Sequence, residues 1–236
     1  MRLAQVLFSQ GFGTRRECEN LILAGEVRLQ GQVCDDPDHD VDTRGLVFTV
    51  EGRDWPFHEK AYLMMHKPAG HECSQKPSAW PSVYTLLPSP LRLRDVQAVG
   101  RLDQDTTGLL ILTDDGALIH RLTSPKKHVP KVYEVGTADP ITDRQMAQLL
   151  AGVVLHDDPK PVAAAACERV AERHLRLTLT QGKYHQVKRM LAAAGNEVVT
   201  LHRSRFGALE LPATLAPGQW CWLAGPQDIL APAGAS

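Results

Sequence analysis

Several features that mark other protein classes are scarce or absent in this sequence. Its 236 residues include only five cysteines, at positions 18, 34, 73, 167 and 221, and no C-x-x-C pair. This spacing argues against a zinc ribbon and against a disulfide framework, and it fits a reducing compartment. The sequence also has no apolar run of membrane-spanning length and no charged-then-apolar leader, so we expect a soluble, cytoplasmic protein.

A large net charge is also missing. The 26 lysines and arginines are balanced by 27 acidic residues, which gives a formal net charge of −1. A nonspecific polycation is therefore excluded, and contacts with nucleic acid would have to come from local basic clusters. Two such clusters are present, at residues 121–131 and 183–205. The length allows one catalytic domain and a small appended module.

The most informative stretch is a polar loop between two apolar runs, at residues 99–116 (V-G-R-L-D-Q-D-T-T-G-L-L-I-L-T-D-D-G). Residues 109–112 are apolar, and with Thr113 they are bounded by glycine and by an Asp-Asp-Gly turn, which predicts a buried strand. The loop at 101–107 would then lie between two segments of core. Rigid scaffolds commonly hold functional side chains in such loops.

Three interpretations of the acidic residues in this loop compete. The first is a hairpin whose acids are only solvated. The second is calcium, since five residues fall at positions 1, 3, 5, 6 and 12 of the EF-hand pattern: Asp103, Asp105, Thr107, Gly108 and Asp114. Context argues against calcium, because an EF-hand needs flanking helices and a ligand such as Glu at the last position. The third is an aspartate nucleophile held beside an arginine in a cleft.

The N-terminal segment predicts a compact unit of two helices and a hairpin. Residues 2–10 carry apolar side chains at the spacing of one helix face, and Thr14 with Glu17 forms a capping box at the start of a second helix. A tight turn at Gln30 and Gly31 then predicts a hairpin. So few residues make a weak independent fold.

The central stretch resembles the signature G-R-L-D-x-D-T-x-G-L-L-x-L-T-D-D-G of the RNA pseudouridine synthases, in the branch that modifies ribosomal RNA. In that family the Asp of G-R-L-D is catalytic, which corresponds to Asp103. The segment 11–31 is similar to the S-four-type RNA-binding module, with G-x-x-S/T-R-x followed by L-I-x-x-G-x-V-x-x-x-G. This resemblance implies that four arginines face RNA phosphates: Arg2, Arg15, Arg16 and Arg28.

Two shorter motifs of the family flank the central stretch. A predicted strand from residue 61 ends in H-K-P-A-G, which is similar to the family's N-K-P-x-G. Lys67 is therefore a candidate for phosphate contact; the alternative is that it only precedes a turn formed by Pro-x-Gly. The later K-V-Y matches the family's K-x-Y, which implies that Tyr133 stacks on a flipped uracil. The alternative for Tyr133 is a half-buried strand aromatic. Lys131 belongs to the basic loop expected to bind the surrounding RNA.

The stretch 181–191 (Q-G-K-Y-H-Q-V-K-R-M-L) is similar to the family's G-R/K-x-x-Q-x-R/K-R-M, in which a basic residue pairs with the catalytic aspartate and keeps it ionised. Lys183 is the first candidate for this pairing and Lys188 the second, because spacing alone does not choose. His185 has no evident partner cluster, so a structural hydrogen bond is expected. The other residues of this motif expected to bind RNA are Gln186 and Arg189.

The resemblance implies an α+β fold in three parts. A small helical and hairpin RNA-binding module (1–45) and a linker (46–60) would precede a catalytic domain (61–230) with a mixed, largely antiparallel β-sheet and flanking helices. The sequences T-S-P-K-K-H-V-P-K-V-Y and G-K-Y-H-Q-V-K-R-M-L-A-A-A-G-N place the likeness nearest to the small-subunit (16S) branch.

The implied activity is isomerisation of a specific uridine in ribosomal RNA to pseudouridine, with no cofactor and no metal. Asp103 would attack or deprotonate the ribose, Arg101 would hold the flipped RNA, Tyr133 would stack on the base, and Lys183 would orient the carboxylate. We expect a monomer that binds ribosomal RNA, free or in a partly assembled particle, and no membrane. The alternatives are a large-subunit (23S) enzyme and a noncatalytic ribosome-assembly protein.

Overall fold

The structure is a computed structural model that describes residues 1–230. The described chain forms two compact units, one of residues 1–61 with 87–97 and one of residues 62–86 with the chain from 98 onward. Each unit combines helices with β-sheet around its own apolar core, so the predicted α+β class is confirmed. No helix within residues 1–230 is long and apolar enough to span a membrane.

The first unit begins with two helices, and the second starts with the capping box that the sequence predicts. The hydroxyl of Thr14 accepts a hydrogen bond from the backbone N–H of Glu17, and the Glu17 carboxylate accepts one from the N–H of Thr14. This capping box satisfies two backbone donors at the start of the second helix. The elements of this unit are α1 (Leu3–Gln10), α2 (Arg15–Leu23), β1 (Val27–Leu29), β2 (Gln32–Val33), β3 (Val47–Val50), β4 (Arg53–Pro56) and α3 (Ser89–Leu93).

Residues 46–60 were predicted to be a linker, but residues 47–50 and 53–56 form strands of the first unit. There, β3 pairs with both β1 and β4, in a four-stranded antiparallel sheet of order β2-β1-β3-β4 within residues 27–56. Alternation along β3 buries Phe48 and Val50 against the first two helices. The segment is therefore part of the first unit's core, because its apolar side chains face that core.

The second unit is built on one large sheet. In the part of the chain that the structure describes, nine strands join it, and their main order is β11-β12-β8-β13-β7-β5-β15. The strands are β5 (Tyr62–Lys67), β6 (Gln97–Val99), β7 (Thr107–Thr113), β8 (Lys131–Thr137), β9 (Val153–Leu155), β10 (Asp158–Val162), β11 (Ala166–Ala171), β12 (His174–Leu179), β13 (Val198–Phe206), β14 (Leu209–Glu210) and β15 (Trp220–Trp222), with β9 and β10 forming a separate hairpin. The helices are α4 (Gly116–Thr123), α5 (Asp143–Ala151), α6 (Gln186–Ala193) and α7 (Gln227–Leu230).

The pairing of β7 with β13 positions the central loop. These two strands run parallel, whereas the pairings of β7 with β5 and of β13 with β8 and β14 are antiparallel, which confirms a mixed, largely antiparallel sheet. Gly108 has a φ of +111°, and a Cβ at this position would lie 2.3 Å from the carbonyl oxygen of Arg203. Glycine is therefore required for β13 to approach the start of β7, immediately after the loop.

Candidate active site

A cleft of about 860 Å³ opens in the second unit where three separate motifs meet. The loop at 100–106 forms one wall, the first residues of β8 contribute to another, and the segment 181–188 before and at the start of α6 forms a third. The predicted site residues that line this cleft are Arg101, Asp103, Lys131, Tyr133, Lys183, Gln186 and Lys188. Motifs separated by up to about a third of the chain thus share one concave site.

Asp103 lies between two basic side chains. Its Oδ2 is 3.1 Å from Nζ of Lys188, and its Oδ1 is 3.2 Å from Nε2 of His185. The Asp103 side chain is 28% exposed, so its carboxylate is partly shielded yet open to the cleft. An ionised carboxylate in a partly dry site needs such partners, because burial alone favours its neutral form.

Lys188 is shared by two carboxylates, since its Nζ also lies 2.8 Å from Oδ1 of Asp105. Burial lowers the pKa of Lys188, but the hydrogen bonds and charges of Asp105 and Asp103 outweigh burial, so the pKa lies above its ordinary value. Burial raises the pKa of Asp105, and the hydrogen bond and charge of Lys188 bring it below its ordinary value. Lys188 therefore remains a cation at the centre of the site.

The prediction that Lys183 pairs with Asp103 is wrong. The ammonium group of Lys183 forms an ion pair with Asp158, the first residue of β10. Lys183 lies in the loop before α6, whereas Lys188 lies in the first turn of that helix. The second candidate, Lys188, is the residue that contacts Asp103.

The contact of His185 with Asp103 was not predicted from the sequence. His185 occupies the N-cap position of α6 with φ 47° and ψ 35°, a left-handed conformation that is unusual for a non-glycine residue. Its imidazole ring is stacked on the ring of Tyr184, with the ring centroids 3.8 Å apart. The spacing of three between His185 and Lys188 was the available signal, because such residues share one side of a helix.

The position of Lys67 does not agree with its predicted contact with phosphate. Its side chain is fully buried, and Nζ donates hydrogen bonds to three backbone carbonyls, those of Pro68 (3.0 Å), Gln104 (3.2 Å) and Thr106 (2.8 Å). Burial lowers the pKa of Lys67. The lysine instead fixes the backbone of the loop that carries Asp103.

Arg203 supports the same loop from β13, a role that was not predicted from the sequence. Its guanidinium is buried and donates to the carbonyls of Leu109 (2.9 Å) and Gly100 (2.8 Å). These two carbonyls lie on either side of the loop. Two buried cations, Lys67 and Arg203, thus hold four carbonyls in or beside the loop, at residues 100, 104, 106 and 109, and preorganise the position of Asp103.

Tyr133 and Lys131 lie on the same face of β8, two residues apart. Tyr133 is 9% exposed and lines the cleft, so it is more deeply placed than a half-buried strand aromatic. Nζ of Lys131 lies 5.2 Å from the ring centroid of Phe206. Burial, with a contribution from the charge of Arg203, lowers the pKa of Lys131 to about 8.

The remaining predicted residues of the α6 motif are engaged within the protein. Gln186 is buried, and its Oε1 accepts a hydrogen bond from the backbone N–H of Lys183, so it stabilises the loop; this corrects its assignment as an RNA contact. Arg189 forms an ion pair with Asp157 and donates to the carbonyl of Tyr184 (3.1 Å). Only part of the Arg189 side chain is exposed.

The arginines predicted to face RNA are exposed in the structure. Arg101 lies at the cleft, and in the first unit Arg16 is exposed at the start of α2. Nη1 of Arg2 lies 3.2 Å from Asp38, the guanidinium of Arg15 lies over the ring of Phe8, and Arg28 donates to the carbonyl of Gly31. These weak surface contacts leave the guanidinium groups accessible.

The calcium interpretation of the central loop does not agree with the fold. Residues 107–113 form strand β7, so they cannot close an EF-hand loop. Among residues 1–230, no group of three or more His, Cys, Asp or Glu side chains is arranged to hold a metal ion.

Comparisons with known proteins agree with this arrangement. The RNA pseudouridylate synthase family matches residues 61–193, and the S4 domain family matches residues 1–47. The ribosomal small subunit pseudouridine synthase A of Vibrio cholerae is 40% identical, over 94% of this chain and 96% of the relative. The protein of that name from Escherichia coli K12 is 38% identical, over 93% of this chain and 95% of the relative.

A solved structure described as a pseudouridylate synthase has a TM-score of 0.67 and 34% identity, and the match covers 94% of this chain and 96% of that one. An uncharacterized RNA pseudouridine synthase of Bacillus subtilis is 41% identical over 93% of both chains. The sequence motifs, the cleft that unites them and these similarities lead to one conclusion. The chain belongs to the RNA pseudouridylate synthase family.

Proposed function

We propose that this protein converts a uridine of small-subunit (16S) ribosomal RNA to pseudouridine, and that Asp103 is its catalytic carboxylate. The observation that carries the proposal is the position of Asp103, which contacts both Lys188 and His185 in a cleft that also contains Tyr133. The names of the relatives from Vibrio cholerae and Escherichia coli support the small-subunit substrate.

The reaction is an isomerisation, so it balances without an oxidant or reductant. The bond from the uracil nitrogen to the ribose breaks, the base turns, and a bond forms from carbon-5 to the same ribose carbon. The proton on carbon-5 is lost, and the released nitrogen gains one. Asp103 acts on the ribose as nucleophile or base, and the ammonium group of Lys188 beside it orients the carboxylate.

The other cleft residues have positioning roles in this proposal. Tyr133 stacks on the flipped uracil, because a base removed from RNA needs an aromatic or apolar surface to replace its lost stacking. Arg101 at the cleft holds the phosphate of the flipped nucleotide. The walls of the cleft keep the detached base from escaping before the new bond forms.

Further basic residues bind the RNA around the target. The first unit supplies the four exposed arginines of the S4 domain match, and the basic residues 126–127 follow α4 in the second unit. We propose that the protein acts as a monomer on free or partly assembled small-subunit RNA.

The test is tritium release from carbon-5-labelled uridine in small- and large-subunit ribosomal RNA, each free and in partly assembled particles. Wild type is expected to release tritium from small-subunit RNA, and Asp103→Asn is expected to release none while still binding RNA. Asp105→Asn is the matched control, because it changes a carboxylate in the same loop that also contacts Lys188 and is expected to retain turnover.

Each contrary result selects an alternative. Turnover by Asp103→Asn would remove Asp103 from the mechanism. Release from large-subunit RNA alone would favour a 23S enzyme. Tight RNA binding with no release from any substrate would favour a noncatalytic assembly protein, although such a protein would gain nothing from an acid facing phosphates.

A further inference from the structure

An aromatic side chain at the cleft is left largely in solvent. Tyr184 is 74% exposed, although tyrosine rings usually bury most of their surface. One face of its ring lies against the imidazole of His185, with an angle of 19° between the ring planes. The exposure of the residue leaves the opposite face of the ring open.

Contacts on both sides fix the backbone that presents this ring. The carbonyl of Tyr184 accepts a hydrogen bond from Arg189 (3.1 Å), and the N–H of Lys183 donates to Gln186 (2.8 Å). The next residue, His185, holds an unusual left-handed conformation. Unfavourable backbone geometry that surrounding contacts maintain is often found at binding sites.

The ring is also close to the proposed reaction centre. His185 stacks on Tyr184 on one side and reaches Oδ1 of Asp103 at 3.2 Å through its Nε2. Only one imidazole ring therefore separates Tyr184 from the catalytic carboxylate. A group stacked on the open face of Tyr184 would therefore lie near a uridine bound at Asp103.

We propose that Tyr184 is a stacking platform for an unpaired nucleobase of the RNA, the one that immediately flanks the target uridine. The inference rests on the proposed function, because it takes RNA to be the ligand. Every nucleobase has an aromatic face, so such a platform strengthens binding with little preference for sequence. When the target uridine leaves the stack, its neighbour loses a stacking partner, and Tyr184 replaces it.

The first test compares the affinity of wild type, Tyr184→Phe, Tyr184→Leu and Tyr184→Ala for a small-subunit ribosomal RNA transcript by filter binding. Phe should bind like wild type, because it keeps the aromatic face. Ala should bind about 5- to 100-fold more weakly, and Leu should also lose affinity although it is apolar. Val170→Ala, at an exposed residue on β11, is the control and should bind like wild type.

Equal affinity of all four proteins would overturn the inference, and so would Leu binding as tightly as Phe. Because Tyr184 is exposed, all variants should keep the melting temperature of wild type, so a loss of affinity cannot be attributed to unfolding. The ranking of the variants by RNA affinity does not depend on turnover. If the affinities follow the expected order but no pseudouridine forms, the proposed function alone is overturned. If pseudouridine forms but wild type and all Tyr184 variants bind RNA equally, the Tyr184 inference alone is overturned.

A second test locates the base. In the shortest transcript fragment that wild type binds, single abasic nucleotides are placed at successive positions. At one position, the abasic nucleotide is expected to weaken binding to wild type. The same nucleotide should cause no further loss of affinity in Tyr184→Ala, because the abasic change and the substitution remove the same stacking contact. Additive losses at every position would overturn the inference.

Discussion

Nζ of Lys188 lies 3.1 Å from Oδ2 of Asp103, so a residue in the first turn of α6 neutralises the carboxylate in the loop before β7. Asp105 contacts the same ammonium group. Without Lys188, two carboxylates would remain close together and only His185 would still contact Asp103. Mutual repulsion would then favour a protonated carboxyl in this loop.

Replacing Lys188 with Met should therefore move the acid limb of the pH–rate profile to higher pH. Lys188 holds the pKa of the neighbouring Asp105 below its ordinary value, and without its ammonium group a proton on this carboxyl pair is favoured over more of the acidic range, so activity should fall most at low pH. The measurement is the single-turnover rate of pseudouridine formation against pH. Lys188→Arg should keep the profile nearer to that of wild type.

Lys183→Met is the matched control for this experiment. It removes a lysine that lines the same cleft but pairs with Asp158 instead of Asp103. Its pH–rate profile should keep the acid limb of wild type. A shift in Lys183→Met with none in Lys188→Met would contradict the roles that we assign to the two lysines.

Lys67→Met should destabilise the second unit and reduce turnover. The substitution leaves three carbonyls without their ammonium donor, including those of Gln104 and Thr106 beside Asp103. A decrease of about 2–4 kcal/mol in the free energy of unfolding is expected, measured by urea denaturation. The exposed Lys76→Met should leave stability unchanged, and a gain in stability from Lys67→Met would refute the anchoring role.

Features with local causes could be predicted from the sequence. The capping box at Thr14 depends on residues three apart, and it begins α2 as expected. Residues 109–113 form a buried strand because a continuous apolar run bounded by glycine and a turn favours one. The roles of Asp103 and Tyr133 were predicted from the resemblance of their motifs to a known family, and both residues line the cleft.

Features with distant causes could not be predicted. The pairing of β3 with β1 is one example, because the short strand was expected from its apolar residues but the acidic residues before it gave no sign of that partner. Lys183 and Lys188 could not be distinguished, because the choice depends on the backbone at His185 and on Asp158 being near. The anchoring roles of Lys67 and Arg203 depend on carbonyls 37 or more residues away along the chain.

Lys131→Met should stabilise the protein below pH 8, and the gain should shrink as the pH rises. The pKa of Lys131 is about 8 in the folded chain against an ordinary value of 10.5. Below pH 8 Lys131 is protonated in both the folded and the unfolded chain, so the folded chain carries the full free-energy cost of burying the charge. Between these two values the unfolded chain binds more protons, so the free energy of unfolding of wild type rises with pH relative to the variant.

The expected gain of Lys131→Met at neutral pH is about 1–3 kcal/mol, measured by urea denaturation over a pH series. RNA affinity should fall in the same variant, because the cleft loses a cation that faces the substrate. The exposed Lys126→Met is the stability control and should show no pH-dependent difference from wild type. A stability difference for Lys131→Met that does not change up to pH 10.5 would contradict this reasoning.

Two acids at the β9–β10 hairpin should weaken RNA binding in wild type. Asp157 pairs with Arg189 and Asp158 pairs with Lys183, so each carboxylate holds a cation at or beside the cleft. Replacing both acids with Asn frees those cations for phosphates. The double variant should bind small-subunit ribosomal RNA about 2- to 5-fold more tightly at low salt, with a steeper dependence of affinity on salt concentration.

The control for this double variant is Asp143→Asn, which removes the acid from another exposed ion pair, that of Arg169 with Asp143. Arg169 does not line the cleft, so RNA affinity should not change. Weaker binding by the double variant would mean that the acids hold Lys183 and Arg189 in the geometry that RNA requires. Tighter binding with a steeper salt dependence would mean that phosphates compete with these carboxylates for the same two cations.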